Sequence, residues 1–385
     1  MRTKTNLLHI ITELELGGAQ KNALYIITHC DNGRYNKFFI SAPRGLLVDT
    51  AKKIPGVTCC FFPSLKRKIN PFADLITLFL LIKFMKTHKI DIVHTHSSKA
   101  GILGRWAARL AKVPVIIHTI HGWSFNNHTN VAARYLYIIL ERAASRVTTR
   151  FIAVSEHDIE KGLRYKIGRR SQYALIRYGV DLAQIAALSG QQLNKQDFGV
   201  PHSGKVVGMI ACLKPQKNPL DFVRLAAAVL THMPNTYFVL AGDGRLRRAM
   251  QNFICRRKLQ RQVLLLGWRQ DIYRIIPLFD IIVLTSLWEG LPIALLEAMA
   301  NSKPIVAYDT DGVREIVRDR ENGYVVAAQD VRALASRVTV LLQDSSQAEK
   351  MGRRGYQLLS DNPAFWADKM LARVEGLYQK SLKIN

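Results

Sequence analysis

Two glutamates, Glu289 and Glu297, stand eight residues apart on either side of the run Gly290-Leu291-Pro292-Ile293. Pro292 suits the first position of a helix, where its missing N–H would be unpaired anyway. A helix starting there aims the free backbone N–H groups of residues 290–294, where present, toward a common point. Its dipole adds about half a positive charge. A diphosphate fits such a point. Carboxylates beside it make sense as acceptors for the hydroxyls of a sugar or a ribose. Standing alone, the same residues also read as helix-end and surface glutamates.

Further groups carry potential chemistry. Lys217, in Lys214-Pro215-Gln216-Lys217, reads by itself as a surface lysine after a strand. His94, His96, His118 and His121 cluster. The first pair, one residue apart at a strand end, suggests a metal site. No third ligand follows at metal-motif spacing, so zinc is discounted and a structural reading is favoured for His94 and His96. Gly242-Asp243-Gly244 is half of a dinucleotide fingerprint, with Arg247 where the third glycine belongs. Neither a GxxxxGK[ST] loop nor a Gly-x-Ser-x-Gly elbow occurs.

Short β-branched runs alternate with helical patterns, as parallel βαβ units require. Strands are expected at 7–12, 37–41, 92–96, 115–118 and 150–154, with helices at 19–29, 72–88, 99–111 and 132–144. A polar, weakly periodic stretch at 186–198 reads as a linker. A second series follows, with strands at 206–210, 237–241, 263–266, 281–285 and 304–307 and helices near 220–230, 246–256, 272–277 and 292–300. The chain is therefore expected to form two Rossmann-like α/β domains, each a doubly wound parallel sheet, at 1–190 and 200–360. Ligands of such sheets bind at the carboxyl ends of the strands, where these loops lie.

The chain has 385 residues, 48% apolar, which excludes a disordered polycation. Its net charge is +26, with 28 basic against 11 acidic residues up to 190 and 27 against 18 beyond. Such an excess asks for an anionic partner: nucleic acid, a phosphorylated ligand or an anionic membrane. Five cysteines without CxxC spacing argue for a reducing, cytoplasmic home. The apolar run 6–12 is too short for a signal peptide core, and 75–85 is too short to span a bilayer.

The segment SLWEGLPIALLEAMA, with Glu289-x7-Glu297, resembles the signature of retaining glycosyltransferases of family 4. The likeness extends along nearly the whole chain, through Gly17-Gly18-Ala19-Gln20, DIVHTHSSKAGILGRWAAR, HTIHGWSF, IRYGVD, LKPQKNPLDF, AGDGRLR and LLGWRQDI. It implies the GT-B fold: two such domains facing a cleft, with a C-terminal helix (364–385, bearing Phe365, Trp366, Met370, Leu371, Val374 and Tyr378) crossing back to pack on the first domain. Carried over by residue, Glu297 would hold ribose hydroxyls and Glu289 the donor sugar. The backbone of Gly290, Leu291, Pro292 and Ile293 would hold the diphosphate. Gly17 and Gly18 form the family's Gly-Gly loop, Lys217 would neutralise the leaving phosphate, and His121 would touch the sugar near the reacting carbon; a buried structural histidine is its competing reading. Relatives place an arginine where this chain has Cys212, and Lys214 is the substitute considered. Asp309-Thr310-Asp311 invites comparison with the manganese-binding Asp-x-Asp of GT-A enzymes. It sits instead where family 4 chains have a Gly-rich turn, with Asp311 replacing the first glycine.

The resemblance implies a metal-independent transferase with no bound cofactor and a nucleotide-diphosphate-sugar as co-substrate. The acceptor is expected on the N-terminal domain, as a glycan or polyprenyl-diphosphate-linked sugar. There Lys66, Arg67 and Lys68, just before the greasy helix at 72–85, and a second basic tract with Arg169 and Arg170 suit a peripheral contact with the anionic inner face of the plasma membrane. A nucleotide-sugar epimerase on the same fold and a basic nucleic-acid-binding protein are the competing readings. No nucleic-acid module is visible.

Overall fold

Runs such as Leu7-Leu8-His9-Ile10 and Ile281-Ile282-Val283-Leu284 lack polar alternation, as strands covered on both faces must. In the computed structural model, which describes residues 4–191 and 193–384, they are central strands of two parallel sheets. The chain divides into two units, one reaching to Tyr178 and resuming at Asp368, the other spanning Gly179–Ala367.

The first unit holds β1 (Thr5–Ile10), α1 (Gly18–His29), β2 (Tyr35–Ser41), α2 (Val48–Lys52), β3 (Val57–Phe61), α3 (Pro71–Thr87), β4 (Ile92–His96), α4 (Ser98–Leu110), β5 (Val115–Ile120), α5 (Val131–Ser145), β6 (Arg150–Ala153), α6 (Glu156–Arg164) and β7 (Tyr173–Leu175). The strand order is β3-β2-β1-β4-β5-β6-β7. The second unit holds α7 (Leu182–Ser189), β8 (Lys205–Ile210), α8 (Pro219–Leu230), β9 (Thr236–Ala241), α9 (Arg247–Arg256), β10 (Val263–Gly267), α10 (Ile272–Ile275), β11 (Ile281–Leu284), α11 (Ile293–Ala300), β12 (Ile305–Tyr308), β13 (Gly323–Val326), α12 (Val331–Gln343) and α13 (Ser345–Ser360). Its order is β10-β9-β8-β11-β12-β13. Each sheet reverses direction of growth once, between β1 and β4 and between β8 and β11. Those switch points leave a crevice at the strand ends.

The doubly wound architecture agrees with the sequence reading, and four details correct it. The stretch 186–198 is not a linker: its beginning completes α7, a short 3-10 turn (Lys195–Phe198) follows, and the chain passes between units at 178/179 instead. Within that stretch Gln192 lies outside the described residues, as do residues 1–3 and 385. The sheets have seven and six strands instead of five each, because β3, β7 and β13 are short edge or near-edge runs with weak patterns. Helix α11 begins at Ile293, and Pro292 is its cap residue with an extended ψ of 97°. The last helix, α14, runs Ala367–Ile384, while Phe365 lies in a 3-10 turn and Trp366 caps it.

Helix α14 returns the chain to the first unit, where Met370, Val374 and Tyr378 join the core made by β1, β2, β4 and α1. Helices α3, α4 and α5 follow one another as crossovers, and α4 packs against both neighbours. Its anchor is a buried ion pair, Arg105 to Glu141 at 2.6 Å. Asn70 and Asn130 cap α3 and α5 by accepting N–H groups of their first turns.

Candidate active site

In the second unit the switch-point loops after β8 and β11 are laced together. Leu287 N–H donates to the Gln216 carbonyl and Gln216 Nε2 to the Trp288 carbonyl, each at 2.8 Å. The Thr285 hydroxyl donates to the Lys217 carbonyl at 2.9 Å. This lacing brings Lys217 Nζ onto Glu289 Oε1 in an ion pair. Glu289 is 7% exposed and Glu297, one turn into α11, is 1% exposed. Glu297 accepts from the Tyr273 hydroxyl at 3.3 Å, and burial beside that carboxylate pushes the phenol's pKa up.

The backbone of Gly290, Leu291 and Ile293 leads directly into α11. A helix's first N–H groups have no intrahelical acceptor, so this start offers donors and partial positive charge to an anion. Asp311 changes one part of the picture. Its carboxylate accepts the Glu289 N–H at 2.8 Å, and its own φ is +35°, a conformation that favours glycine. The neighbouring Asp309 is held bidentately by Arg314 at 2.7 and 2.6 Å. The two aspartates are thus each engaged by protein groups.

Lys214 and Cys212 lie in the loop after β8, partly buried, with Lys214 N–H donating to the Cys212 carbonyl at 2.8 Å. The Gly242-Asp243-Gly244 loop packs against that same strand end: a Cβ on Gly242 would come within 1.9 Å of the Ala211 carbonyl oxygen. Glycine is needed there for close packing of backbone. Arg269, in the loop after β10, is clamped by Asp271 at 2.8 and 2.6 Å, which lowers the carboxyl's pKa.

In the first unit, Gly17 caps α1 and Gly18 begins it, at the carboxyl end of β1. His121 follows β5. No third ligand follows His94 and His96 at metal-motif spacing, yet the sheet supplies a third histidine: His9 of β1 lies beside them, with one ring nitrogen of each within 4.8 Å of the others. Register explains it, because β1 and β4 are paired with His9 opposite His94. The spacing rule missed His9 because its neighbours arrive through the sheet and not through the sequence. The nitrogens are turned onto one another and onto hydroxyls. His121 also has both nitrogens engaged, by His96 at 3.0 Å and by the Tyr178 hydroxyl. Burial lowers the pKa of His9 and of His121 to about 3 and holds His94, His96 and His118 well below the ordinary value.

The remaining basic residues are dispersed. Lys66 and Lys68 are exposed before α3, while Arg67 pairs with Glu15 at 3.2 Å. Arg169 is exposed after α6, and Arg170 lies 4.0 Å from Glu156. Sequence reading missed the companion of the greasy helix. Val131, Tyr135, Leu136 and Ile139 form an exposed stripe on α5, matching Phe72, Leu75, Ile76, Phe79 and Leu80 on α3. Between them Trp106 and Leu110 of α4 are exposed. The i, i+4, i+8 spacing of the α5 stripe was visible in the sequence, but nothing there told its outward face from a core face.

Comparison with known proteins identifies the family and the fold. Residues 17–184 match the family described as Glycosyltransferase Family 4 and residues 190–358 match Glycosyl transferases group 1. The chain is 34% identical over 346 residues, 89% of each chain, to a UDP-Gal:alpha-D-GlcNAc-diphosphoundecaprenol alpha-1,3-galactosyltransferase of Escherichia coli. It is 24% identical to an N,N'-diacetylbacillosaminyl-diphospho-undecaprenol alpha-1,3-N-acetylgalactosaminyltransferase of Campylobacter jejuni, over 84% of this chain and 86% of that one. In fold it resembles Anabaena HepE, solved in complex with UDP and glucose, with a TM-score of 0.83 at 19% identity over 98% of this chain and all of that one. Signature, sheet topology and whole-length similarity therefore agree: the chain belongs to the family 4 glycosyltransferases of the GT-B fold.

Proposed function

We propose that this glycosyltransferase extends a polyprenyl-diphosphate-linked saccharide by one sugar taken from a nucleotide-diphosphate-sugar, with retention of anomeric configuration, at the inner face of a membrane. The observation that carries the reading is the convergence of Lys217, Glu289, Glu297 and the start of α11 on one switch point. Glu297 would take ribose hydroxyls and Glu289 the hydroxyls of the sugar. The helix start and Lys217 would hold the diphosphate. The lipid-linked acceptor is suggested by the names of the Escherichia coli and Campylobacter jejuni relatives.

In the transfer, the bond from the anomeric carbon to the phosphate oxygen breaks. Lys217 and the oriented N–H groups stabilise the charge that gathers on the diphosphate, where preorganised donors act most strongly. The acceptor hydroxyl attacks from the face just vacated, and its proton passes to the departing phosphate oxygen. No separate base is required. Lys217 exchanges its partner in this scheme: the ammonium that pairs with Glu289 would turn to the phosphate as Glu289 takes up a hydroxyl.

The exposed apolar face of α3, α4 and α5, with Lys66 and Lys68 at its edge, suits shallow insertion into an anionic bilayer. Each basic residue near the surface contributes about 1 kcal/mol. No helix among the described residues is long and apolar enough to cross a membrane. Incubating the purified protein with UDP- and GDP-sugars, alone and with lipid-linked saccharides, tests the reading. Nucleotide release that rises with acceptor is the expected result; conversion of the donor without any acceptor would replace it with an epimerase.

A further inference from the structure

A single string of hydrogen bonds runs through the core of the first unit. It starts at the Thr119 hydroxyl of β5, which lies 2.6 Å from His94 Nε2. His94 Nδ1 meets the Tyr378 hydroxyl of α14 at 2.6 Å, and Tyr378 meets His9 Nε2 at 3.0 Å. His9 Nδ1 contacts His96 Nε2 at 3.1 Å, His96 Nδ1 contacts His121 Nε2 at 3.0 Å, and His121 Nδ1 ends on the Tyr178 hydroxyl. Seven side chains from three strands, one helix and two loops share six contacts.

Burial keeps the four rings neutral, with His9 and His121 near 3 and the other two well below the ordinary value. A neutral imidazole has one N–H and one lone pair, so a ring that accepts on one side must donate on the other. The Tyr378 hydroxyl has lone pairs enough to accept from both rings, but its buried proton has no other acceptor among the described residues, so it too donates to one neighbour and accepts from the other. The six contacts and the Tyr378 proton are all satisfied only when every proton points the same way along the string. Two orders exist, and they place His121 in opposite tautomers.

The Thr119 end selects between them. Its buried hydroxyl has no other partner among the described residues, so its proton needs His94 Nε2 as acceptor. A buried donor left without an acceptor is costly. The order is then Thr119 to His94, Tyr378, His9, His96, His121 and Tyr178. We propose that this string is one proton-ordered unit that fixes His121 as the Nδ1–H tautomer, which makes Thr119 and Tyr378 positioning residues for a ring that neither touches. The catalytic consequence rests on the reading of His121 as the sugar-facing histidine; the tautomer itself does not.

Nitrogen-15 NMR of histidine-labelled protein without substrate reads the tautomer directly. The wild type should show His121 with a protonated Nδ1 and a pyridine-like Nε2. Thr119→Val and Tyr378→Phe, cutting the string at separate points, should each mix or invert that pattern. Val374→Ala, which loosens α14 without touching the string, should leave it unchanged. The opposite wild-type tautomer, an unaltered His121 in both cut variants, or an equal change in Val374→Ala would overturn the proposal. If the two cuts shift the tautomer while transfer proceeds at the wild-type kcat, the string stands and the sugar-facing role of His121 falls.

Discussion

Lys217 and Glu289, 72 residues apart in sequence, form an ion pair at the switch point of the second sheet, with Glu289 nearly buried. Each is the other's main neutralising group before a donor arrives, so neither is an ordinary surface charge. Removing one leaves the other desolvated. Lys217→Ala and Glu289→Ala should each lower kcat by roughly 100- to 1000-fold, as loss of a transition-state donor does elsewhere. Both should retain the native circular dichroism spectrum, although the melting temperature drops because a buried charge has lost its partner. Steady-state kinetics near wild type in either variant would remove the pair from the mechanism.

Asp311 carries negative charge to the loop where a diphosphate is expected, while its side chain holds the Glu289 N–H. Asp311→Asn keeps an acceptor at the same place and removes the charge. The KM for the nucleotide-sugar should fall by about three- to tenfold, a change of about 1 kcal/mol, with kcat little altered. Titration of donor concentration checks this, and a raised KM would mean that the carboxylate organises the loop more than it repels the ligand.

The outward stripes of α3 and α5 expose Phe72 at 76% and Val131 at 68%. Replacing Phe72 and Phe79 with serine, or Tyr135 and Ile139 with serine, should abolish co-flotation with anionic vesicles at low salt. Lys66→Glu with Lys68→Glu should weaken it and reduce its salt sensitivity. Donor hydrolysis in solution should stay unchanged in all of them. Equal flotation of wild type and variants would dismiss this face as the membrane contact.

Four buried histidines and the partly buried His121 make the first unit sensitive to acid. His9, His94, His96, His118 and His121 are held neutral by burial, so between about pH 3 and the ordinary histidine value near 6.5 the unfolded chain binds more protons than the folded one. Stability is full above pH 6.5 and is lost as pH falls. Each such group forfeits about 1.4 kcal/mol per pH unit in that window. Calorimetry from pH 8 to 4.5 should show a steep decline in melting temperature, and His9→Asn should make it shallower. An unchanged slope would show that His9 is protonated in the folded state.

The sequence exposes the second unit's site more fully than the first unit's. Glu289, Pro292 and Glu297 sit in one continuous segment, and Lys217 stands in a strand-end loop. Local spacing therefore suffices to single them out. Their mutual contact is not local: it depends on β8 and β11 being neighbours, which follows from strand order. The histidine string is harder still. His94 and His96 are one residue apart in sequence, but His9 joins them by strand register and Tyr378 by the return of α14, separated from His9 by 369 residues. In the sequence Tyr378 reads as part of an apolar helix stripe, which it is, and its hydroxyl adds a second role. The boundary between units was misread for a related reason. Polar residues near Ser189 and Gly190 look like linker, whereas the crossing at 178/179 lies among the apolar residues Tyr178 and Val180.

The most direct test is the product. Incubating the protein with an anomerically defined nucleotide-sugar and a synthetic polyprenyl-diphosphate-linked saccharide, then analysing the lipid fraction by mass spectrometry and proton NMR, reads transfer and stereochemistry together. The account predicts a gain of one sugar, equimolar release of nucleotide diphosphate, and an anomeric signal of the same configuration as the donor. An inverted anomeric signal, or donor turnover with no sugar on any lipid-linked acceptor, would contradict it.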